Sequence, residues 1–136
     1  MLADKEITER IIGAAIQVHK TLGLGFLEAI YEEALAAELD HLAIQYERQN
    51  VVRIEYRGRQ IGEHPLDFLD AGKVSIELKA IQGIEDMHFA IVRSYLKATK
   101  LQSALLLNFA AMPLTIKRVG CDESGRAKPI TEISLV

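Results

Sequence analysis

LDFLDAGKVSIELK, residues 66–79, is the stretch of sequence that decides the fold. It predicts a β-hairpin, because residues 70–73 form an Asp-Ala-Gly-Lys turn and the residues after it alternate between apolar and polar side chains. Side chains two residues apart lie on the same face of a strand, so Glu77 and Lys79 share a face. Asp67, on the preceding strand, can lie opposite them. The hairpin therefore predicts two carboxylates and an ammonium group at one place on a sheet.

Two interpretations are open for this group of side chains. Carboxylate oxygens are hard ligands that suit Mg²⁺ or Mn²⁺, and an adjacent lysine can orient or deprotonate an attacking water. Alternatively, Glu77 and Lys79 form an ion pair on a solvated strand face. The spacing of the residues, taken by itself, favours the ion pair.

Length and composition predict one compact domain spanning residues 1–136, with 49% apolar and 26% charged residues. The net charge of −3 argues against strong non-specific nucleic-acid binding over the whole surface, although it leaves a local basic groove open. The single Cys121 excludes an internal disulfide framework and a cysteine-based zinc cluster. We find no apolar run of membrane-spanning length and no signal-peptide pattern, so we expect a cytoplasmic protein with no membrane partner.

Hydrophobic periodicity predicts an α/β fold in which a mixed sheet is sandwiched between helices. Helices are predicted over 4–21, 26–42 and 84–99. Strands are predicted over 44–57, from 59 to Asp67 and through the hairpin, over 103–109 and 115–119, and at an edge or loose over 129–136. Residues 104–107 are apolar throughout, as in a strand covered on both faces.

The stretch GFLEAIY, residues 25–31, matches the motif that names the GxxExxY family. The sequence resembles that family from about Ile7 to Val119, including the segments IIGAAIQVHKTLGLGFLEAIYEEALAAEL, GKVSIELKA, YLKAT and LLLNF. The family looks like a compact branch of the PD-(D/E)xK nuclease superfamily. The resemblance therefore implies a restriction-endonuclease-like core, a mixed central sheet flanked by helices, and DNA or RNA as substrate.

The resemblance also implies roles for individual residues. Asp67, Glu77 and Lys79 would form the catalytic core, and Asp67, Glu77 and the carbonyl of Leu78 would bind Mg²⁺ or Mn²⁺. Glu28 would join the site from the second helix. From the residues alone, the favoured interpretation of Glu28 is an acid at a helix start, where the helix dipole favours negative charge.

Three further residues are candidates for substrate binding: His88, Tyr95 and Arg57. The alternative for His88 is a structural hydrogen bond, and the alternative for Arg57 is a charged, solvated hairpin edge. Tyr31 is expected in the core, with its hydroxyl bound to a polar neighbour.

Two departures from the related sequences argue against full activity. Ile91 stands where they often carry a glutamine, and Pro65 stands where they often carry an arginine. We expect Ile91 on the inward side of the third helix, one turn before Tyr95. The first hypothesis is a metal-dependent nuclease or nuclease-like domain that hydrolyses nucleic-acid phosphodiester bonds with weak activity. The alternatives are a non-catalytic nucleic-acid-binding or protein-interaction module with the nuclease fold, and a homo-oligomeric scaffold. A homodimer or a partner protein would enlarge the small surface.

Overall fold

The computed structural model describes residues 5–120 and the backbone of residues 131–133. In these parts it contains three helices and six strands. Their order is α1 (Lys5–Leu22), α2 (Glu28–His41), β1 (Tyr46–Tyr56), β2 (Arg59–Asp70), β3 (Val74–Lys79), α3 (Asp86–Thr99), β4 (Ser103–Asn108), β5 (Thr115–Gly120) and β6 (Thr131–Ile133). The short β6 agrees with the predicted edge strand, whereas the rest of 129–136 and Cys121 lie outside the described residues.

The strands form one mixed sheet in the order β1-β2-β3-β4-β5-β6. Only the pairing of β3 with β4 is parallel, and α3 makes the crossover between them. The other neighbours within the described chain are antiparallel. The predicted α/β fold with a mixed central sheet is confirmed.

Helices cover both faces of the sheet. In one core cluster, α1 and α2 pack against sheet residues that include Phe68, Ile76 and Leu78. In the second cluster, α3 packs against Ala104, Leu106 and Val119. All six residues of β4 are buried, as the apolar run predicts. No helix among residues 5–120 has the length and apolar character needed to cross a membrane.

Tyr31 fastens the loop between α1 and α2 to the core. Its ring is 1% exposed and stacks on Phe109, with 4.8 Å between the ring centroids. Its hydroxyl donates to the carbonyl of Gly23 at 2.6 Å and accepts the backbone N–H of Phe26 at 3.3 Å. The expectation for Tyr31 is confirmed. By contrast, Leu27 precedes α2 with extended backbone and is 77% exposed, so it lies outside the core.

Tyr31→Phe should lower the free energy of unfolding by about 1–3 kcal/mol, because the Gly23 carbonyl and Phe26 N–H lose their partner. Tyr56→Phe is the matched control, since Tyr56 is 61% exposed and should tolerate the change. Urea unfolding of both variants measures the difference. Equal midpoints for the two variants would contradict this role of the Tyr31 hydroxyl.

Candidate active site

The strands β2 and β3 separate at Asp67. Their ladder runs from the Asp70–Val74 pair to the Phe68–Ile76 pair, and its next pair would have been Asp67 with Glu77. Beyond that point β2 pairs with β1, while β3 pairs with β4 as far as Lys79. At the opening, Oδ2 of Asp67 accepts the backbone N–H of Leu78 at 2.9 Å. The Asp67 carboxylate thus replaces a backbone partner that β3 lacks.

Glu77 lies in this fork and is 5% exposed. It alternates along β3 with Ile76 and Leu78, which pack in the cluster with α1 and α2, so its side chain lies on the other face. Its Oε1 has no hydrogen-bond partner among the described residues, and its Oε2 is 3.9 Å from Nε2 of His64. A buried carboxylate oxygen without a partner is costly. Glu77 is therefore a buried carboxylate and not a solvated surface charge.

Burial and neighbouring charges raise the pKa values of both carboxyls. Burial raises the pKa of Asp67 to about 6; the Leu78 N–H opposes the shift, and the carboxylates of Glu32 and Glu28 add to it. Burial raises the pKa of Glu77 to about 8, with the Asp67 carboxylate as the next cause. Lys79 counteracts the rise in the pKa of both groups. The structure therefore brings Asp67, Glu77 and Lys79 together and places Glu28 within electrostatic range.

The oxygen donors at the fork fit a hard divalent cation. In residues 5–120 no three His, Cys, Asp and Glu side chains are grouped closely enough to bind an ion by themselves. The unpaired Oε1 of Glu77 and the carboxylate of Asp67 would supply two donors. A third would come from a main-chain carbonyl, for which Leu78 is the candidate, and Mg²⁺ commonly completes its shell with water.

Tyr95 reaches the site from α3. Its ring stacks on His64 with 4.0 Å between centroids and 13° between planes. Burial, followed by the carboxylates of Glu77 and Asp67, raises the pKa of the Tyr95 hydroxyl. Burial and the Lys79 ammonium lower the pKa of His64. These two rings therefore form one wall beside the carboxylates.

The other two predicted substrate-binding residues, His88 and Arg57, each contact a residue close to them in sequence. His88 closes the start of α3, where its Nδ1 accepts the N–H of Glu85 at 2.8 Å as part of a capping box. Arg57 lies in the β1–β2 turn, with its guanidinium carbon 5.6 Å from the centroid of the Tyr56 ring. Asp67 is eight residues from the start of β2, roughly 25 Å along the strand. The structure does not bring Arg57 to the carboxylates.

The expectation that Ile91 faces inward is wrong. Ile91 is 38% exposed, whereas the inward side of α3 carries Phe89, Val92 and Leu96. These three residues are spaced three and four apart, which places them on one face of the helix, and Ile91 lies outside that face.

The residue that sequence reasoning missed is His64. Residues four apart in a regular strand lie on one face, so His64 should share the face of Phe68. Instead Phe68 packs with α1 and α2, while His64 stacks on α3. The neighbouring strand β1 is irregular opposite this stretch: Gln49, which would pair with Asp67, has φ of 55° and its pair is missing from the ladder. A non-glycine residue with positive φ inside a strand is not readable from period-two alternation.

Glu32 was also missed, one helical turn after Glu28. Its carboxylate accepts hydrogen bonds from Nη2 of Arg48 and Nε2 of Gln49, both at 3.0 Å. These bonds tie α2 to the irregular part of β1. Glu32 therefore supports the backbone opposite Asp67, besides raising the pKa of that carboxyl.

This fold and this site define an α/β domain with an acidic, lysine-containing centre where two sheet strands separate. A family model described as the PD-(D/E)XK nuclease superfamily matches residues 5–119, and the chain belongs to that superfamily. Nucleases of this superfamily generally use divalent metals, and membership implies a nucleic-acid substrate. Searches of curated proteins and of solved structures gave no significant match.

Proposed function

We propose that the chain forms a single domain that is a divalent-metal-dependent nuclease hydrolysing phosphodiester bonds in DNA or RNA. The observation that carries the proposal is the convergence of Asp67, Glu77 and Lys79 where β2 and β3 separate. Membership of a nuclease superfamily supports it. The GFLEAIY motif further supports assignment to the GxxExxY branch.

The acidic residues and the lysine of the site would have different roles. Asp67 and Glu77, with the carbonyl of Leu78, would hold Mg²⁺ or Mn²⁺, and the ion would supply Lewis acidity toward phosphate and water. The Lys79 ammonium would orient the attacking water and stabilise the charge that develops on the phosphate oxygens. Glu28, exposed in the first turn of α2, would support the ion directly or through water. Tyr95 would line the side of the site that faces the substrate.

A second candidate function is a module that binds nucleic acid or a protein without cleaving. The observation that favours it is Ile91, an exposed aliphatic side chain on α3 one turn before Tyr95. An isoleucine there cannot offer a hydrogen bond to phosphate or water. A homodimer or partner protein would enlarge the surface available to either function.

Wild-type protein should cleave weakly, and Ile91→Gln should raise the rate about tenfold, the effect of roughly one hydrogen bond in the transition state. The measurement is cleavage of single- and double-stranded DNA and RNA with Mg²⁺ or Mn²⁺ at low salt, because phosphate contacts weaken as salt rises. An EDTA reaction sets the background.

Ala90→Gln is the matched control, since Ala90 is also exposed on α3 but points away from Tyr95. Strong wild-type cleavage unchanged by Ile91→Gln would show that this position matters little. No cleavage by either protein, with metal binding intact, would favour the binding module.

A further inference from the structure

Nε2 of the half-buried His64 and the buried Glu77 carboxylate face each other without a hydrogen bond between them. Nε2 of His64 lies 3.9 Å from Oε2 of Glu77. That Nε2 and the neighbouring Oε1 of Glu77 are both buried and have no hydrogen-bond partner among the described residues. A buried donor and a buried acceptor lose stability when they stay unpaired. A shift of roughly 1 Å would bring Nε2 of His64 and Oε2 of Glu77 to hydrogen-bond distance.

The Tyr95 ring controls the direction of the His64 side chain. The two rings are nearly parallel, with 13° between planes and 4.0 Å between centroids. Such stacking leaves the imidazole free to slide in its own plane but resists rotation out of it. The ring edge that carries Nε2 is therefore kept toward Glu77.

We propose that His64 is a positioning residue of the metal centre: its Nε2–H donates to the Glu77 carboxylate and fixes the orientation in which Glu77 holds the divalent ion. Tyr95 acts one step further out by holding the imidazole. This inference rests on the proposed function, because it assigns His64 a role only toward an ion bound by Asp67 and Glu77.

Outer residues that orient a metal ligand typically contribute 10–100-fold to metal affinity. Loss of the His64 N–H should therefore weaken metal binding by that factor without removing either carboxylate. Two substitutions separate the two properties of the ring. His64→Phe keeps an aromatic ring against Tyr95 but has no nitrogen, and His64→Gln keeps a terminal N–H at similar reach but has no ring.

The experiment is a calorimetric titration of metal-free protein with Mn²⁺, with folding of each variant checked by circular dichroism. We expect His64→Phe to bind Mn²⁺ 10–100-fold more weakly than wild type, and His64→Gln to stay within a few-fold of it. His41→Ala is the control, because His41 is an exposed residue at the end of α2 and should bind as wild type does.

Wild-type affinity in His64→Phe would overturn the role of His64, and so would equal weakening in the Phe and Gln variants, which would leave only packing. If wild type itself binds no Mn²⁺, the proposed function fails, and the two failures are thus distinguishable. A ¹H–¹⁵N spectrum of the imidazole in wild-type protein saturated with Mg²⁺, which binds Glu77 in its deprotonated form, gives a readout that needs no variant. We expect the neutral ring to carry its proton on Nε2, and a proton on Nδ1 would overturn the proposed hydrogen bond.

Discussion

Asp67→Asn and Glu77→Gln are each expected to lower metal-dependent cleavage by about 10³-fold or more. Each change keeps the shape of the side chain but removes a charged oxygen donor at the fork of β2 and β3. Loss of an ion that stabilises the transition state is worth several kcal/mol, and each 1.4 kcal/mol is about tenfold in rate. Initial rates on a labelled oligonucleotide with saturating Mn²⁺ measure the effect.

Asp70→Asn is the matched control for Asp67→Asn, because both residues lie on β2. Asp70 is also buried and its carboxylate has no hydrogen-bond partner among the described residues, but it lies at the hairpin end of β2, where the ladder is intact. It should therefore keep the wild-type rate. If Asp70→Asn lost as much activity as Asp67→Asn, buried charge on β2 would matter in general, and the fork would have no special role.

The hairpin was predictable because its chemistry is local. The turn at residues 70–73 and the alternation from Val74 onward follow from period two, and the structure has the predicted hairpin. The opposition of Asp67 and Glu77 follows from the same ladder. The burial of Glu77 does not follow, since it depends on the α3 layer, which arrives only after the crossover. The ion-pair interpretation was favoured by spacing for that reason.

Distance along a strand and irregular backbone explain why sequence reasoning included Arg57 in the site and missed His64. Arg57 looks suitable for phosphate by charge, but the 12 residues of β2 carry it to the far end of the sheet. His64 looks unsuitable by alternation, but it stacks on Tyr95 of α3, and the neighbouring strand β1 has a positive φ at Gln49. The sequence shows which residues are charged, whereas contacts between distant elements, such as those of Glu32 with Arg48 and Gln49, are seen only in the structure.

Glu77→Gln should make the metal-free protein more stable than wild type at pH 8 by a few kcal/mol, at about 1.4 kcal/mol for each unit of pKa shift. Burial raises the pKa of Glu77 to about 8 from 4.5. Between pH 4.5 and about pH 8 the folded protein binds more protons than the unfolded chain, so the free energy of unfolding falls as pH rises. Glutamine cannot ionise, and its variant escapes this loss. Asp67, with its pKa raised to about 6, adds a smaller loss of the same sign.

Divalent metal should make wild type more stable than Glu77→Gln at pH 8, the reverse of the order expected without metal. Ions bind the deprotonated carboxylates, so Mn²⁺ should stabilise wild type most at pH 8 and hardly at pH 5. Glu77→Gln should show little response at either pH. Urea unfolding from pH 5 to 8.5, in EDTA and in Mn²⁺, measures both effects, and Asp70, whose pKa burial raises to about 7, contributes equally to both proteins. Parallel pH curves in EDTA would mean that Glu77 is not protonated in the folded protein. An equal response to Mn²⁺ would mean that the ion binds elsewhere.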